Sequence, residues 1–274
     1  MNFKGKKGDT VHIPAPTRGT ANAKAEGTAV TLQNNVESSK TVLIDQHYEY
    51  THLIEDITEV QALSSLRKFY TDDAGYALAK QIDTSLLALG KQFGDDAGTG
   101  TDWVHSNSFY VDAANGLAAY AVDTVAATDV FTDLAFREAL KELDDNDTPM
   151  TGRFFVVPPS ARKDMLALDR YVSSDFGASQ GVANGMIGNV YGVDIYVSTN
   201  VPVVETATAN TASAEDVRGA MFAHKDSIVL VEQQGIRSQT QYKQEFLATM
   251  YTADTLYGME VLRPESGLVI VLPT

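Results

Sequence analysis

The chain is 274 residues long, with 36 acidic against 21 basic residues, no cysteine and a net charge of −15. The missing cysteine excludes disulfides, thiolate metal centres, iron–sulfur clusters and a cysteine nucleophile. The acidity disfavours broad wrapping of nucleic acid, where Lys and Arg must neutralise phosphate. A hydrophobic share of 44% supplies a packed core, no apolar run approaches the ~20 residues of a membrane span, and the start, MNFKGKKG, leads into no apolar signal segment.

Val11 and Ile13 alternate with Thr10 and His12, which predicts a strand stopped by Pro14 and Pro16. Residues 17–28 (TRGTANAKAEGT) are small and polar, the composition of a mobile tip. Alternation resumes at Val30, Leu32, Asn34 and Val36 and strengthens from Lys40. Val42, Ile44, Tyr48, Tyr50 and Ile54 share one face; Asp45, His47, Glu49 and Glu55 share the other. The expectation is a protruding β-ribbon, which is marginal alone and must lie on something.

From Ile57 the period changes to three or four residues: Val60, Leu63, Leu66, Tyr70, Ala74, Leu78, Ile82, Leu86 and Leu89 follow. That predicts one helix of about nine turns, closed by Gly90 and Gly94, weakened at Gly75, and facing Leu66, Ile82 and Leu86 to the core. After a Gly/Asp/Thr loop carrying Trp103, a helix over 131–144 takes Thr132 or Asp129 as N-cap and turns Leu134, Ala135, Leu140 and Leu143 inward. RFFVV at 153–157 predicts a short buried strand, and Pro158, Pro159 and Ser160 open a helix with Ala161, Met165 and Leu168 inward. Stretches 173–185 and 205–216 have flexible compositions; Val193, Ile195 and Val197 between them make a strand. Further strands fall at 228–232, 246–262 and 268–272, so the class is α+β.

Reactive constellations are few. Asp45, His47 and Glu49 share a strand face, but His52 stands at an odd offset from His47 and points away. A metal hydrolase centred on His47 is therefore a weak alternative to a solvated strand face. The acidic loops at 94–102 and 144–147 suggest calcium, and with it an extracellular calcium-dependent adhesion module. Their acids sit in adjacent pairs, without the Glu that ends a calcium loop. Gly185, Gly188 and Gly192 lead into a strand and not a helix, so dinucleotide binding fails, and no nucleophile elbow is present. No catalytic residue, cofactor or metal site is expected.

The order of elements resembles the major capsid proteins of tailed bacteriophages, the Hong Kong 97 type of coat fold, nearest to those of short-tailed phages. Four pieces carry the likeness: Gly8-Asp9-Thr10-Val11-His12-Ile13-Pro14 with its tip and return strand, Tyr76-Ala-Leu-Ala79-Lys-Gln-Ile82-Asp83 in the long helix, Arg153-Phe-Phe-Val-Val-Pro158-Pro159, and the run from Gly185 through Ser198 and Asn200 to Pro202. The resemblance implies an extended loop over 1–56, a peripheral domain with a spine helix over 57–127 and 226–274, and an axial domain over 128–225. Only about seven residues precede the first strand, where the family carries an N-terminal arm.

The function so implied is structural: copies assemble into pentamers and hexamers and close an icosahedral virion head around the DNA genome. Assembly would take place in the host bacterial cytoplasm, with scaffolding and portal proteins as partners and no membrane. An encapsulin-like protein shell shares the fold and is the nearest alternative. The implied inter-subunit residues are Arg18, Lys24 and Glu26 in the tip. Some members cross-link their shells through a tip lysine and a neighbour's asparagine. Lys24 is the sole candidate here, and the expectation is non-covalent closure.

Overall fold

The computed structural model describes residues 8–16, 19–30, 32, 37–61, 66–94, 102–112, 116–168, 188–206, 209–210, 212 and 216–274. These form two compact units. One comprises 1–58 with 230–260, the other 59–229 with 261–274.

The larger unit is organised on one mixed sheet. Its strands are β4 (Ser108–Asp112), β5 (Gly116–Ala119), β6 (Arg153–Val157), β7 (Asn189–Val190), β8 (Val193–Val197), β9 (Val203–Glu205), β10 (Val217–His224) and β13 (Gly267–Pro273). They run in the order β5-β4-β13-β10-β6-β8-β7, with β9 also on β10. The β13–β4 and β6–β8 pairs are parallel and the others antiparallel. Helices α3 (Asp133–Asp145) and α4 (Pro159–Leu166) cover one face. There Ala135, Phe136, Ala139, Leu143, Ala161 and Met165 pack with Phe155, Ala220, Phe222, Leu268, Ile270 and Leu272. Phe136 is the hub of an aromatic cluster, its ring 5.6 Å from both Phe155 and Phe222.

The opposite face is closed by buried Trp103, Leu89 and Phe93. Space there is tight. A Cβ on Gly90 would lie 2.9 Å from Val269 and 3.0 Å from Trp103, and one on Gly267 would lie 2.4 Å from Phe93.

The long helix is α2 (Leu66–Ala88), running on as a 3₁₀ turn over Leu89–Gln92. A shorter helix, α1 (Asp56–Gln61), precedes it. Whether the two join lies outside the described residues, as does the Leu66 side chain. Gly75 does not interrupt α2. The expected inward face is corrected: Ala74, Leu78, Ser85, Leu87 and Leu89 are buried, while Ile82 and Leu86 are half-buried. The sequence period of three to four held, but its phase drifted by about one residue beyond Leu78.

In the smaller unit, β3 (Gln46–Glu55), β11 (Ile228–Lys243) and β12 (Ala248–Val261) form a sheet in the order β11-β12-β3. On β3 the even positions face inward and the odd ones solvent, as the alternation predicts. Tyr48 stacks on buried Tyr257 at 6.0 Å. A separate two-stranded ribbon pairs β1 (Thr10–Pro16) with β2 (Glu37–Leu43).

Several expectations are corrected. Pro14 and Pro16 do not stop β1, because a two-stranded ribbon has a free edge on which a missing N–H costs no ladder bond. The return strand breaks at Ile44–Asp45, so β2 and β3 belong to different sheets. Val30 and Leu32 lie in no strand and are exposed. Leu134 is exposed, and Phe136 and Ala139 are buried instead. Strand β11 is three times the predicted length, and β4, β5 and β10 were not anticipated. Thr132 does cap α3, accepting from the Ala135 amide at 3.2 Å.

Candidate assembly surfaces

The ribbon is rooted in the smaller unit. The Ile44 amide donates to the Asp9 carbonyl at 2.8 Å, and Gln233 Nε2 to the Gly8 carbonyl at 2.9 Å. Val42 is fully buried. Gly258 on β12 lets the chain pass against Leu43, whose carbonyl oxygen would stand only 2.2 Å from a Cβ there. Away from this root little is enclosed. His12, Pro14, Ser38, Ser39, Thr41 and Leu43 are exposed, and every described residue from 19 to 32 is exposed. Lys24 and Glu26 both stand in that stretch, beside a turn in which Thr28 donates through its amide and hydroxyl to the Ala25 carbonyl. Arg18 lies outside the described residues.

Two pieces that carry the resemblance meet in the larger unit. Asp83 on α2 accepts from Asn200 Nδ2 at 2.6 Å and from Ser198 Oγ at 3.2 Å. The Ser198 hydroxyl also receives the Asn200 amide at 3.1 Å. A carboxylate on a helix thus fixes the turn after β8. The same helix leaves two aromatic side chains, Phe69 and Tyr76, more than 60% exposed and two turns apart on one face.

The residues weighed for chemistry have structural partners. His47 is exposed and places Nε2 3.4 Å from Asp254. Asp254 is buried and also accepts from Gln234 Nε2 at 2.7 Å and Arg237 Nε at 2.8 Å, which ties the three strands together. The Arg237 hydrogen bond is the main cause that holds the Asp254 carboxyl below its ordinary range; burial opposes it, and His47 and Gln234 add to it. Asp144, from the acidic run, receives Nη2 of buried Arg153 at 2.6 Å, whose guanidinium also bonds the Thr148 and Pro149 carbonyls. Burial, reinforced by Glu205, pushes the Tyr120 hydroxyl far up. Glu205 in turn accepts the Asp123 amide at 2.9 Å. Among the described residues no group of three His, Asp or Glu side chains could hold a metal ion, and no helix is long and apolar enough to cross a membrane. Most of the 94–102 loop lies outside the described residues.

The profile of the phage capsid protein family, described as "Phage capsid protein", matches residues 3–271. Among solved structures, a chain of Mycobacterium phage Che8 is 25% identical with a TM-score of 0.70, over 96% of this chain and 85% of that one. The capsid structure of the cyanophage P-SCSP1u aligns over 100% of this chain and 86% of its own at 18% identity and a TM-score of 0.73. The capsid of Ralstonia phage GP4 aligns over 100% and 86% at 16% identity and a TM-score of 0.68. No curated protein sequence matches the chain.

Proposed function

This chain belongs to the phage capsid protein family, with the Hong Kong 97 type of fold, and we propose that its copies form the pentamers and hexamers of an icosahedral head that encloses the DNA genome. It is a structural protein of the virion that assembles with itself. The observation that carries the reading is the family match over nearly the whole chain, residues 3–271. The exposed ribbon supports it, since two lone strands gain stability only against a further surface.

In this reading the extended loop is 1–56, the peripheral domain 57–127 with 226–274, and the axial domain 128–225. Arg18, Lys24 and Glu26 touch a neighbouring subunit, and the ribbon lies across the neighbour's long helix, where Phe69 and Tyr76 offer apolar area. The chain has no enzymatic role. Assembly takes place in the host cytoplasm with scaffolding and portal proteins, and the acidic surface keeps the shell from adhering to DNA. Closure is non-covalent, so denatured shells run as one band near the 29.6 kDa chain mass.

Negative-stain microscopy and light scattering of purified chain test the proposal. Capsomer rings or closed shells are expected. A chain that stays monomeric across salt and concentration, alone and with a co-expressed scaffolding protein, would refute it. Deleting 21–27 should leave a folded monomer, because exposed tips tolerate change, yet prevent shells from closing.

A further inference from the structure

Strand β10 ends at His224, a histidine only 4% exposed. Its bonds fix its chemical form. Nε2 lies 2.9 Å from the Thr151 carbonyl, which can only accept, and Nδ1 lies 3.2 Å from the Asp226 amide, which can only donate. The ring is therefore neutral, with its proton on Nε2 and a lone pair on Nδ1. The turn closes on the same residue: the Ser227 amide and hydroxyl both donate to the His224 carbonyl, at 2.9 and 2.7 Å. Ser227 is fully buried, and its own carbonyl receives the Leu262 amide at 2.7 Å and the Arg263 amide at 3.3 Å. One imidazole thus supports a turn that anchors the chain just after β12.

A second proton on the ring breaks this arrangement. Protonated Nδ1 becomes a donor and faces the N–H of Asp226, donor against donor. An acceptor is at hand in the Asp226 carboxylate, whose Oδ2 stands 3.7 Å from Nδ1 on a side chain 62% exposed. The other charges nearby offer no such partner. Arg153, across from His224 on β6, is a cation that already holds Asp144 of α3. Lys225 adjoins His224 in the turn, Asp147 lies in the loop after α3, and Arg263 and Glu265 precede β13, which is itself uncharged. A protonated ring must exchange the Asp226 amide for the carboxylate of the same residue, and that exchange reshapes the turn.

We propose that His224 is a proton-operated latch. Neutral, it holds the 224–227 turn closed; protonated, it takes the Asp226 carboxylate in place of the amide and loosens the hold of Ser227 on Leu262 and Arg263. The latch is a property of the single chain and does not depend on the capsid reading.

Imidazole NMR and backbone amide exchange of isotope-labelled, unassembled full-length chain test it at about pH 8 and about pH 5, on either side of the histidine range. At the higher pH the His224 ring should carry its proton on Nε2. At the lower pH it should carry both protons. Protection of the Asp226, Leu262 and Arg263 amides should then fall about tenfold, the scale of one lost hydrogen bond, while Met221 within β10 stays protected. His224→Gln, whose amide can still donate to the Thr151 carbonyl, should show no such fall. Asp226→Asn keeps the amide and removes the acceptor for the protonated ring, so it should match the wild type at the higher pH and lose more protection at the lower. A ring that stays neutral at about pH 5, or that carries its proton on Nδ1 at about pH 8, overturns the proposal. So do amides that ignore protonation of the ring, a fall that persists in His224→Gln, or an Asp226→Asn chain that answers acid as the wild type does.

Discussion

The sheet around β10 and the ribbon of β1 and β2 are both antiparallel pairings of seven registered positions on one side, yet they are stabilised in different ways. Strand β10 has β13 on one edge and β6 on the other, Phe222 and Ala220 against the helices, and Met221 buried on the reverse face. Every neighbour it needs comes from its own chain. Among the described residues the ribbon has two free edges and encloses only Val42, at its root. One region is complete as a monomer and the other is not. Substitutions should therefore separate into those that unfold the chain and those that leave it folded but unable to assemble.

The largest effect is expected at Phe222, fully buried among Phe136 and Phe155. Phe222→Ala removes an aromatic ring from a site closed on all sides, and such truncations cost about 3–5 kcal/mol. Urea unfolding should show that loss with little soluble assembly. A loss below about 1 kcal/mol would mean that the core relaxes around the cavity, and that the contrast with the ribbon is weaker than drawn. On the long helix the corresponding position is Leu87, fully enclosed, and not Ile82, which is only half-buried.

Arg153→Met comes next. It leaves Asp144 and the carbonyls of Thr148 and Pro149 without their shared donor. Thr148 is buried, whereas Asp144 and Pro149 are exposed and can turn to water, so the cost is about 1–3 kcal/mol, the scale of one buried acceptor left unpaired. The melting temperature of the monomer reports it. An unchanged value would mean that the loop after α3 finds other donors.

The same contrast explains what was legible in the sequence. Strand β3 is wet on one face, so its tyrosines and charges alternate and its inward parity is plain from the residues alone. Strand β10, Val217-Arg-Gly-Ala-Met-Phe-Ala-His, is covered on both faces; it has no alternation, and its three small residues, Gly219, Ala220 and Ala223, resemble a loop composition. Strand β13 is buried at every position as well, yet its run of Leu, Val and Ile marked it as a strand, so it is the small residues of β10 that hid it. In the ribbon the prolines were misleading because their rule applies to central strands, and whether a strand has a free edge is settled by the fold. Of the expected contact residues, Lys24 and Glu26 are exposed as a contact surface requires. The exposed pair Phe246 and Leu247 looked like the start of a strand, since nothing local marks a turn when a leucine occupies the glycine position.

A smaller effect should appear at the root of the ribbon, at Gly258 on β12. An added Cβ would stand 2.2 Å from the Leu43 carbonyl oxygen, a backbone atom that cannot swing aside. Gly258→Ala should push the ribbon root off β12 at a cost of about 1–3 kcal/mol. Amide exchange should then accelerate across β1 and β2 while β10 stays protected. Equal protection of both regions would show that the ribbon is anchored elsewhere.

The smallest effect expected is electrostatic, at Asp254. Arg237 keeps its carboxyl ionised at lower pH than an ordinary aspartate, against the opposing effect of burial. A carboxylate whose pKa is lower in the folded chain contributes stability that is fully present above the unfolded value, about 3.9, and is lost as pH falls through the folded value. Removing the donor should raise the folded pKa and reduce the ionised-state advantage. In Arg237→Gln the melting temperature should therefore fall slightly at neutral pH and depend less steeply on pH below about 4, where the wild type loses this contribution. Phe222→Ala and Gly258→Ala remove no titrating group, so these variants should keep the wild-type acid slope. If Arg237→Gln keeps it too, the hydrogen bonds from Gln234 and His47 suffice to hold Asp254 ionised, and the arginine matters to the surface of the sheet and not to its strands.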